Sequence, residues 1–321
     1  MANKNQRKQD VFCLLGPTAS GKTSLAVELV KCFPFEIVSV DSAQIYRGMD
    51  IGTGKPSKAN LAIAPHRLLD IRDPLESYSA ADFRTDAIGE IWSIVDSGKV
   101  PLLVGGTMLY FRVLRDGLAD LPRANKQIRR DIETIAAKHG WAEVHGQLAK
   151  VDPGAASSIH PNDPQRLQRA LEVFLISGKK LTDFYSEEAK NRSDNKNTQP
   201  FNLHFFGIQP EARTVLHRVI EKRFNEMLDS GFVAEVERLY TRGDLDETLP
   251  AIKSVGYRQI WRYLSGQVDY EQMIQQAVVA TRQLAKRQCT WLRNWEGLLE
   301  VKDCSNKTRD TILNYVESTS I

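Results

Sequence analysis

The first hundred residues alternate apolar runs of strand length with stretches of helical periodicity. Val11 to Leu15 is unbroken apolar sequence, as in a strand covered on both faces. Lys22 to Cys32 then places Leu25, Ala26, Leu29 and Val30 at the spacing of one helix face. Glu36 to Val40 reads as a second buried strand, and Asp50 to Lys58, rich in Gly, Pro and Lys, as a loop. His66 to Asp73, which runs into Pro74, predicts a short strand with polar flanks. Ser79 with Asp82 forms a capping-box pattern that opens a helix through Val95, closed by Ser97-Gly98. Val100 to Val104 is a third apolar strand. Alternation of this kind predicts an α/β fold around a parallel sheet.

From Pro122 the alternation stops. Lys126 to His139, Trp141 to Lys150 and Asp163 to Ile176 all read as helices, the third with Pro164 suited to its first turn. They predict a helical insertion, residues 122–200, within a core made of residues 1–121 and 201–321. Lys190 to Pro200 is polar and aperiodic and predicts a mobile loop. Strand character returns at Leu203 to Ile208. A long helix follows from Glu211 to Asp229, ended by Gly231, and the last long helix spans Tyr270 to Trp295.

At 321 residues the chain is long enough for roughly two domains. Its 42% hydrophobic and 26% charged residues are those of an ordinary soluble protein. Met1 to Asp10 is polar, and no apolar run reaches the length of a bilayer span, so a cytoplasmic protein without membrane attachment is expected. Cys13, Cys32, Cys289 and Cys304 form no C-x-x-C pair, which favours reduced thiols over disulfides or zinc.

Candidate chemistry begins at Gly16-Pro17-Thr18-Ala19-Ser20-Gly21-Lys22-Thr23, which has the G-x-x-x-x-G-K-[ST] spacing of a phosphate loop between a strand and a helix. Backbone amides there and the helix N-terminus attract anionic oxygens, Lys22 adds a point charge, and the Thr23 hydroxyl can ligate Mg²⁺. The bland reading, a Gly-rich turn with a surface lysine, ignores the flanking strand and helix. The second strand delivers Asp41 to the carboxyl edge of the sheet, where open parallel sheets bind ligands. Asp41 is read as a Mg²⁺ ligand, a general base or a cap of the next segment. Thr107 follows Gly105-Gly106 at the same edge, where small residues admit a ligand. His66 and Asp70 are as readily structural as functional.

Net charge, +3, says little about partners, but its distribution says more. Gln272 to Trp295 contains no Asp or Glu while carrying Arg282, Lys286, Arg287 and Arg293, which points to an anionic partner. Arg282, Lys286 and Arg293 fall on one side of the helix. In Gln165-Arg166-Leu167-Gln168-Arg169 two arginines share a face, equally compatible with simple solvation. Trp291 and Trp295 suit the core better than base stacking.

Together, Gly-Pro-Thr-Ala-Ser-Gly-Lys-Thr at 16–23, Asp-Ser-Ala-Gln-Ile-Tyr-Arg-Gly at 41–48, Pro-His-Arg-Leu-Leu-Asp at 65–70, Gly-Gly-Thr-Met-Leu-Tyr-Phe at 105–111, His-Pro-Asn-Asp-Pro-Gln-Arg at 160–166, Val-Gly-Tyr-Arg-Gln at 255–259 and Thr-Arg-Gln-Leu-Ala-Lys-Arg-Gln at 281–288 resemble the bacterial tRNA dimethylallyltransferases over nearly the whole chain. Gln44 and the 190–200 stretch lie where that family varies. The resemblance implies a phosphate-loop catalytic core and transfer of a dimethylallyl group from its diphosphate to the exocyclic amine of the adenosine 3′ of the anticodon, with diphosphate released. It implies Mg²⁺ as cofactor, dimethylallyl diphosphate and the tRNA anticodon stem-loop as partners, and a monomer. It implies catalytic roles for Lys22, Asp41, Thr107 and Arg223. It also implies RNA contacts by Asp41, Ser42, Ala43, Gln44, Thr107, Arg129, Gln165 to Arg169, Lys253, Ser254, Val255, Gly256, Tyr257 and Arg258, and by the basic residues of the last long helix. The rival readings are a phosphate-loop kinase using Asp41 as base and a non-catalytic RNA-binding switch.

Overall fold

The computed structural model describes residues 8–194, 200–210 and 212–319, with backbone alone for 191–194. Its strands are β1 (Gln9–Leu15), β2 (Phe35–Val40), β3 (His66–Arg67), β4 (Val100–Gly105), β5 (Phe201–Ile208) and β6 (Leu298–Val301). The helices of the first half are α1 (Lys22–Cys32), α2 (Lys58–Ile63), α3 (Ala80–Asp96), α4 (Met108–Asp116), α5 (Lys126–His139), α6 (Trp141–Val151) and α7 (Pro153–Ser158). The rest are α8 (Pro164–Ser177), α9 (Leu181–Asp194), α10 (Arg213–Asp229), α11 (Phe232–Tyr240), α12 (Tyr257–Leu264), α13 (Tyr270–Arg293) and α14 (Asn306–Thr319). The chain divides into two compact units, Met1–Arg115 with Pro200–Ile321, and Asp116–Gln199.

In the larger unit six parallel strands are ordered β3-β2-β4-β1-β5-β6. Burial on both faces explains the apolar runs. Along β1, Val11, Cys13 and Leu15 point into one core with Phe83, Ile91 and Phe111, while Phe12 and Leu14 point into a second with Leu25, Leu29 and Ile312. A third apolar cluster joins the helices that follow β5, with Phe224, Phe232, Val236, Tyr257 and Met273. The register carries the functional consequence. Leu15 and Val40 both pair with Gly105, so Gly16, Asp41 and Gly106 leave one edge of the sheet side by side. Gly105 has to be glycine there, because a Cβ would stand 2.0 Å from the Val40 carbonyl oxygen.

The smaller unit is helical and builds its own core from Ile132, Val144, Leu148, Leu167 and Leu171. Caps match the sequence signals: Asn125 and Asp163 accept backbone N–H bonds at the starts of α5 and α8, and Gly178 takes a left-handed conformation at the end of α8.

Several expectations need correction. The predicted strand at 66–73 shortens to His66–Arg67, because Leu68 and Asp70 adopt positive φ (60° and 57°) and the chain turns away after Arg67. The predicted mobile loop at 190–200 is helical as far as Asp194, and residues 195–199 lie outside those described. The helix expected from Glu211 begins at Arg213, and Glu211 also lies outside the described residues. Short elements with little periodicity, such as α2, α7 and β6, were not anticipated. Among the described residues no helix is long and apolar enough to cross a membrane.

Candidate active site

The sheet edge opens into a cleft of about 1020 Å³, lined by Thr18–Ser24, Asp41–Gln44, Ile51–Lys55, Gly105–Leu109, Arg223, Lys253–Tyr257 and one side of α13. Gly21 stands at φ 83°, a left-handed conformation that glycine adopts without strain, just before α1. Ala19 shares the left-handed region at φ 62°. Lys22 folds back over the loop, its Nζ donating to the Pro17 carbonyl at 2.6 Å and lying 3.4 Å from Ser20 Oγ. Burial lowers its pKa to about 8; the Asp41 charge opposes that shift and Arg223 adds to it. Outside the loop, Cys304 Sγ lies 3.1 Å from the Ser20 carbonyl oxygen, and burial pushes its thiol up.

Asp41 performs the capping task and keeps a free oxygen. Its Oδ1 accepts the Ala43 and Gln44 amides at 2.8 and 3.2 Å, a turn that anchors the carboxylate, while Oδ2 accepts no hydrogen bond among the described residues. The cap and base readings are therefore compatible. Thr107 joins the neighbouring turns: its N–H donates to Val40 O at 3.2 Å and its Oγ1 accepts the Ser42 N–H at 3.1 Å. Arg223 reaches the cleft from α10 beside Gly54, where a Cβ would stand 1.9 Å from the guanidinium. Burial lowers its pKa and the Asp41 charge raises it.

Three polar side chains whose roles the sequence did not reveal hold this arrangement. Gln288, on α13 and 8% exposed, accepts the Thr18 N–H at 2.8 Å and donates to the Gly106 carbonyl at 2.9 Å. Glu235, on α11 and 2% exposed, accepts the Asp50, Ile51 and Gly52 amides at 3.0, 2.8 and 3.1 Å and the Tyr257 hydroxyl at 2.5 Å. Lys55 donates to Tyr46 O, Asp50 Oδ1 and Asp70 Oδ1 at 2.6, 2.7 and 2.6 Å, which gives Asp70 a structural partner. A signal for Glu235 existed, since it occupies the apolar face defined by Phe232, Val236 and Leu239. Gln44, an RNA contact by resemblance, is a strut in this structure, with Oε1 accepting from Ser39 Oγ at 3.0 Å and Nε2 donating to Thr53 and Gly54 carbonyls at 3.3 Å. His66 also lines the cleft, its Nδ1 2.7 Å from Ala64 O and its pKa lowered by burial.

Thr23 lies in the cleft within the first turn of α1, and its hydroxyl makes no hydrogen bond among the described residues. No cluster of three or more His, Cys, Asp or Glu suited to a metal occurs among them. A free hydroxyl beside a phosphate cradle fits Mg²⁺, an ion that keeps several waters and takes ligands from bound phosphates in preference to a protein cage.

The expected RNA contacts divide. Arg287, Lys253, Ser254 and Val255 line the cleft; Lys286 and Arg258 are exposed; Arg293 donates to Thr290 Oγ1 at 3.2 Å. Arg282 pairs with Glu221 at 2.8 Å. In the helical unit Glu172, 0% exposed, receives Arg129 at 2.8 Å and Arg169 at 2.7 Å as well as the Asn125 amide at 2.8 Å. Arg129 and Arg169 thus neutralise a buried carboxylate that would otherwise be costly, so their charges are not free. Arg166 is exposed beside Asp163, Gln165 is exposed, and Gln168 bonds Glu133 at 2.8 Å. Two of the expected contacts have fully buried side chains: Leu167 and Tyr257 are both 0% exposed, one packed in the helical core and the other bound to Glu235 at the wall of the cleft. Gly256 is buried, and a Cβ there would stand 2.8 Å from the Phe232 ring. Trp295 is core, against Phe111 and Phe205, whereas Trp291 borders the cleft.

A family model described as IPP transferase matches residues 44–295, beginning downstream of the phosphate loop. Among solved structures, the chain is similar to the full-length tRNA isopentenylpyrophosphate transferase from Bacillus halodurans, with 36% identity over 97% of this chain and 96% of that one and a TM-score of 0.69. It is similar to the tRNA delta(2)-isopentenylpyrophosphate transferase from Staphylococcus epidermidis, with 31% identity, 97% and 100% coverage and a TM-score of 0.67. A eukaryotic dimethylallyltransferase acting on tRNA aligns at 25% identity over 96% of this chain and 78% of that one, with a TM-score of 0.74.

Proposed function

The chain belongs to the IPP transferase family, and from that premise we propose that it transfers a dimethylallyl group from dimethylallyl diphosphate to an adenosine amine of tRNA. The observation that carries the reading is the meeting, at one sheet edge, of a phosphate cradle and a carboxylate with one free oxygen. A prenyl diphosphate presents the cradle with the same two linked phosphates that a nucleotide does, and the reaction leaves ATP untouched. The target is the adenosine 3′ of the anticodon, whose base leaves the stack to enter the cleft.

The amine nitrogen attacks the terminal allylic carbon, the carbon–oxygen bond to the diphosphate breaks, and the diphosphate leaves with the bonding electrons. Negative charge then grows on the leaving group, which lies beside the loop amides, Lys22 and Arg223, and these positive and N–H groups stabilise it. Thr23 would help hold a Mg²⁺ ion, which would supply further charge neutralisation when bound. Asp41, fixed through Oδ1, takes the amine proton on Oδ2, and Thr107 supports the same turn. The exposed Lys286 and the cleft-lining Arg287 and Lys253 supply the basic surface for anticodon stem-loop phosphates. Such an enzyme works as a monomer in the cytoplasm, beside its tRNA.

A phosphate-loop kinase would share the cradle but consume a nucleoside triphosphate, and the family match does not favour it. The test is incubation with unmodified tRNA, Mg²⁺ and labelled dimethylallyl diphosphate without ATP, followed by digestion to nucleosides. Label on adenosine together with released diphosphate is the expected result. Absence of label, with ATP turnover on a small acceptor, would overturn the reading.

A further inference from the structure

We propose that Gln288 is a positioning residue that sets the separation between the diphosphate cradle and the acceptor turn, an inference that rests on the transfer reaction above. Its amide links the two segments just beyond the last backbone pair of β1 with β4, Leu15 with Gly105. On one side Oε1 accepts the Thr18 N–H at 2.8 Å, so one amide of the phosphate loop is held by the protein itself. On the other, Nε2 donates to the Gly106 carbonyl at 2.9 Å. The next residue, Thr107, bonds both Val40 and Ser42, the neighbours of Asp41. Hydrogen bonds and single chain steps therefore connect the loop, through Gln288, Gly106 and Thr107, to the residues on either side of the base.

Residue chemistry explains why an amide stands here. The two ends of the link need opposite polarity, an acceptor for an N–H and a donor for a C=O, and a glutamate lacks the donor while a lysine lacks the acceptor. The side chain is buried among Gly106 and the loop, and a Cβ on Gly106 would stand 2.5 Å from Nε2. Glycine at 106 is what lets the amide close on the carbonyl. The transferred carbon has to lie in line between the departing oxygen and the attacking nitrogen, so a small slip of loop against turn misaligns the reaction while leaving each substrate its own binding groups. Displacements of about 1 Å cost on the order of 10²-fold in rate.

The experiment compares Gln288→Leu, Gly106→Ala and the double variant with wild type, measuring single-turnover transfer, donor and tRNA affinity, and melting temperature. Leucine roughly keeps the size and removes both bonds; the alanine methyl would stand 2.5 Å from Nε2 and 3.2 Å from the Gly16 carbonyl oxygen, so it displaces the amide while leaving its chemistry unchanged. Each single variant is expected to transfer about tenfold to a hundredfold more slowly with both affinities nearly unchanged, and the double variant to be no slower than the slower single. A soluble Gln288→Leu protein with a wild-type rate overturns the proposal, even if it melts lower. Loss confined to donor affinity also overturns it, since Gln288 would then be a direct diphosphate ligand, and so does multiplication of the two rate effects in the double variant. If Gln288→Leu does not fold, Gly106→Ala decides alone, a wild-type rate being the refuting result. Wild-type protein that transfers no prenyl group refutes the reaction itself, whereas active wild type with unaffected variants refutes only the role of Gln288.

Discussion

Replacing Asp41 with asparagine separates its two tasks. The carboxylate now accepts two backbone amides through Oδ1, and an asparagine carbonyl can accept the same pair, so the turn from 41 to 44 survives. Exchanging a charged acceptor for a neutral one at two such bonds costs about 1 kcal/mol of stability, far too little to unfold the domain. At Oδ2 the change is severe, because an NH₂ group would face the amine whose proton it is meant to take. Loss of a positioned general base lowers the rate by about 10²- to 10⁴-fold, which is about 2.7–5.4 kcal/mol on the activation barrier. The effect on kcat thus exceeds the effect on stability severalfold. The assay is single-turnover transfer at pH 7, where Lys22, with its pKa near 8, is still charged, alongside tRNA affinity and a melting curve. A kcat within about threefold of wild type would refute the base assignment, and a parallel loss of tRNA affinity would recast Asp41 as a binding residue.

Lys22 is protonated below its pKa of about 8 and neutral above it, so kcat/KM for the donor should fall as pH rises through about 8, and a profile flat to well above that pH would remove its charge from donor capture. Bound diphosphate favours the protonated amine, so kcat at saturating donor should hold to higher pH than kcat/KM. Replacing Lys286 and Arg287 with glutamine should weaken tRNA binding and flatten its dependence on log salt by about 0.7 to 0.9 for each phosphate no longer neutralised, and an unchanged slope would end their assignment to phosphates. Glu235→Leu strands three amides and the Tyr257 hydroxyl in a buried site, so a loss of several kcal/mol and a clearly lower Tm are expected; a Tm unchanged within a degree would show that the turn at 50–52 does not depend on it.

The strands and helices of the core were legible in the chain because local rules and burial agree there. β1, β2 and β4 are short apolar runs since both sheet faces are covered, α1 shows its periodicity openly, and α3 shows its capping box. Gly16 to Thr23 was equally plain, for a phosphate loop is built from consecutive residues whose spacing alone shapes it. Asp41 and Thr107 could be named from their places after strands, but their adjacency depends on Val40 and Leu15 both pairing with Gly105, a register no local pattern states.

Other features depend on partners distant in sequence. The basic stretch of α13 looked uniform, yet its residues point in different directions: Arg282 meets Glu221, Arg287 borders the cleft, and Gln288 joins Thr18 to Gly106. Arg129 and Arg169, RNA contacts by resemblance, both pair with Glu172, whose buried carboxylate they neutralise, and Leu167 of the same stretch packs in the helical core. Charge and spacing are properties of a segment, so sequence reveals them. Whether a charge is free depends on which side chain the fold brings opposite it, and for Glu235, Glu172 and Gln288 that partner lies on another element, so only folding could assign their roles.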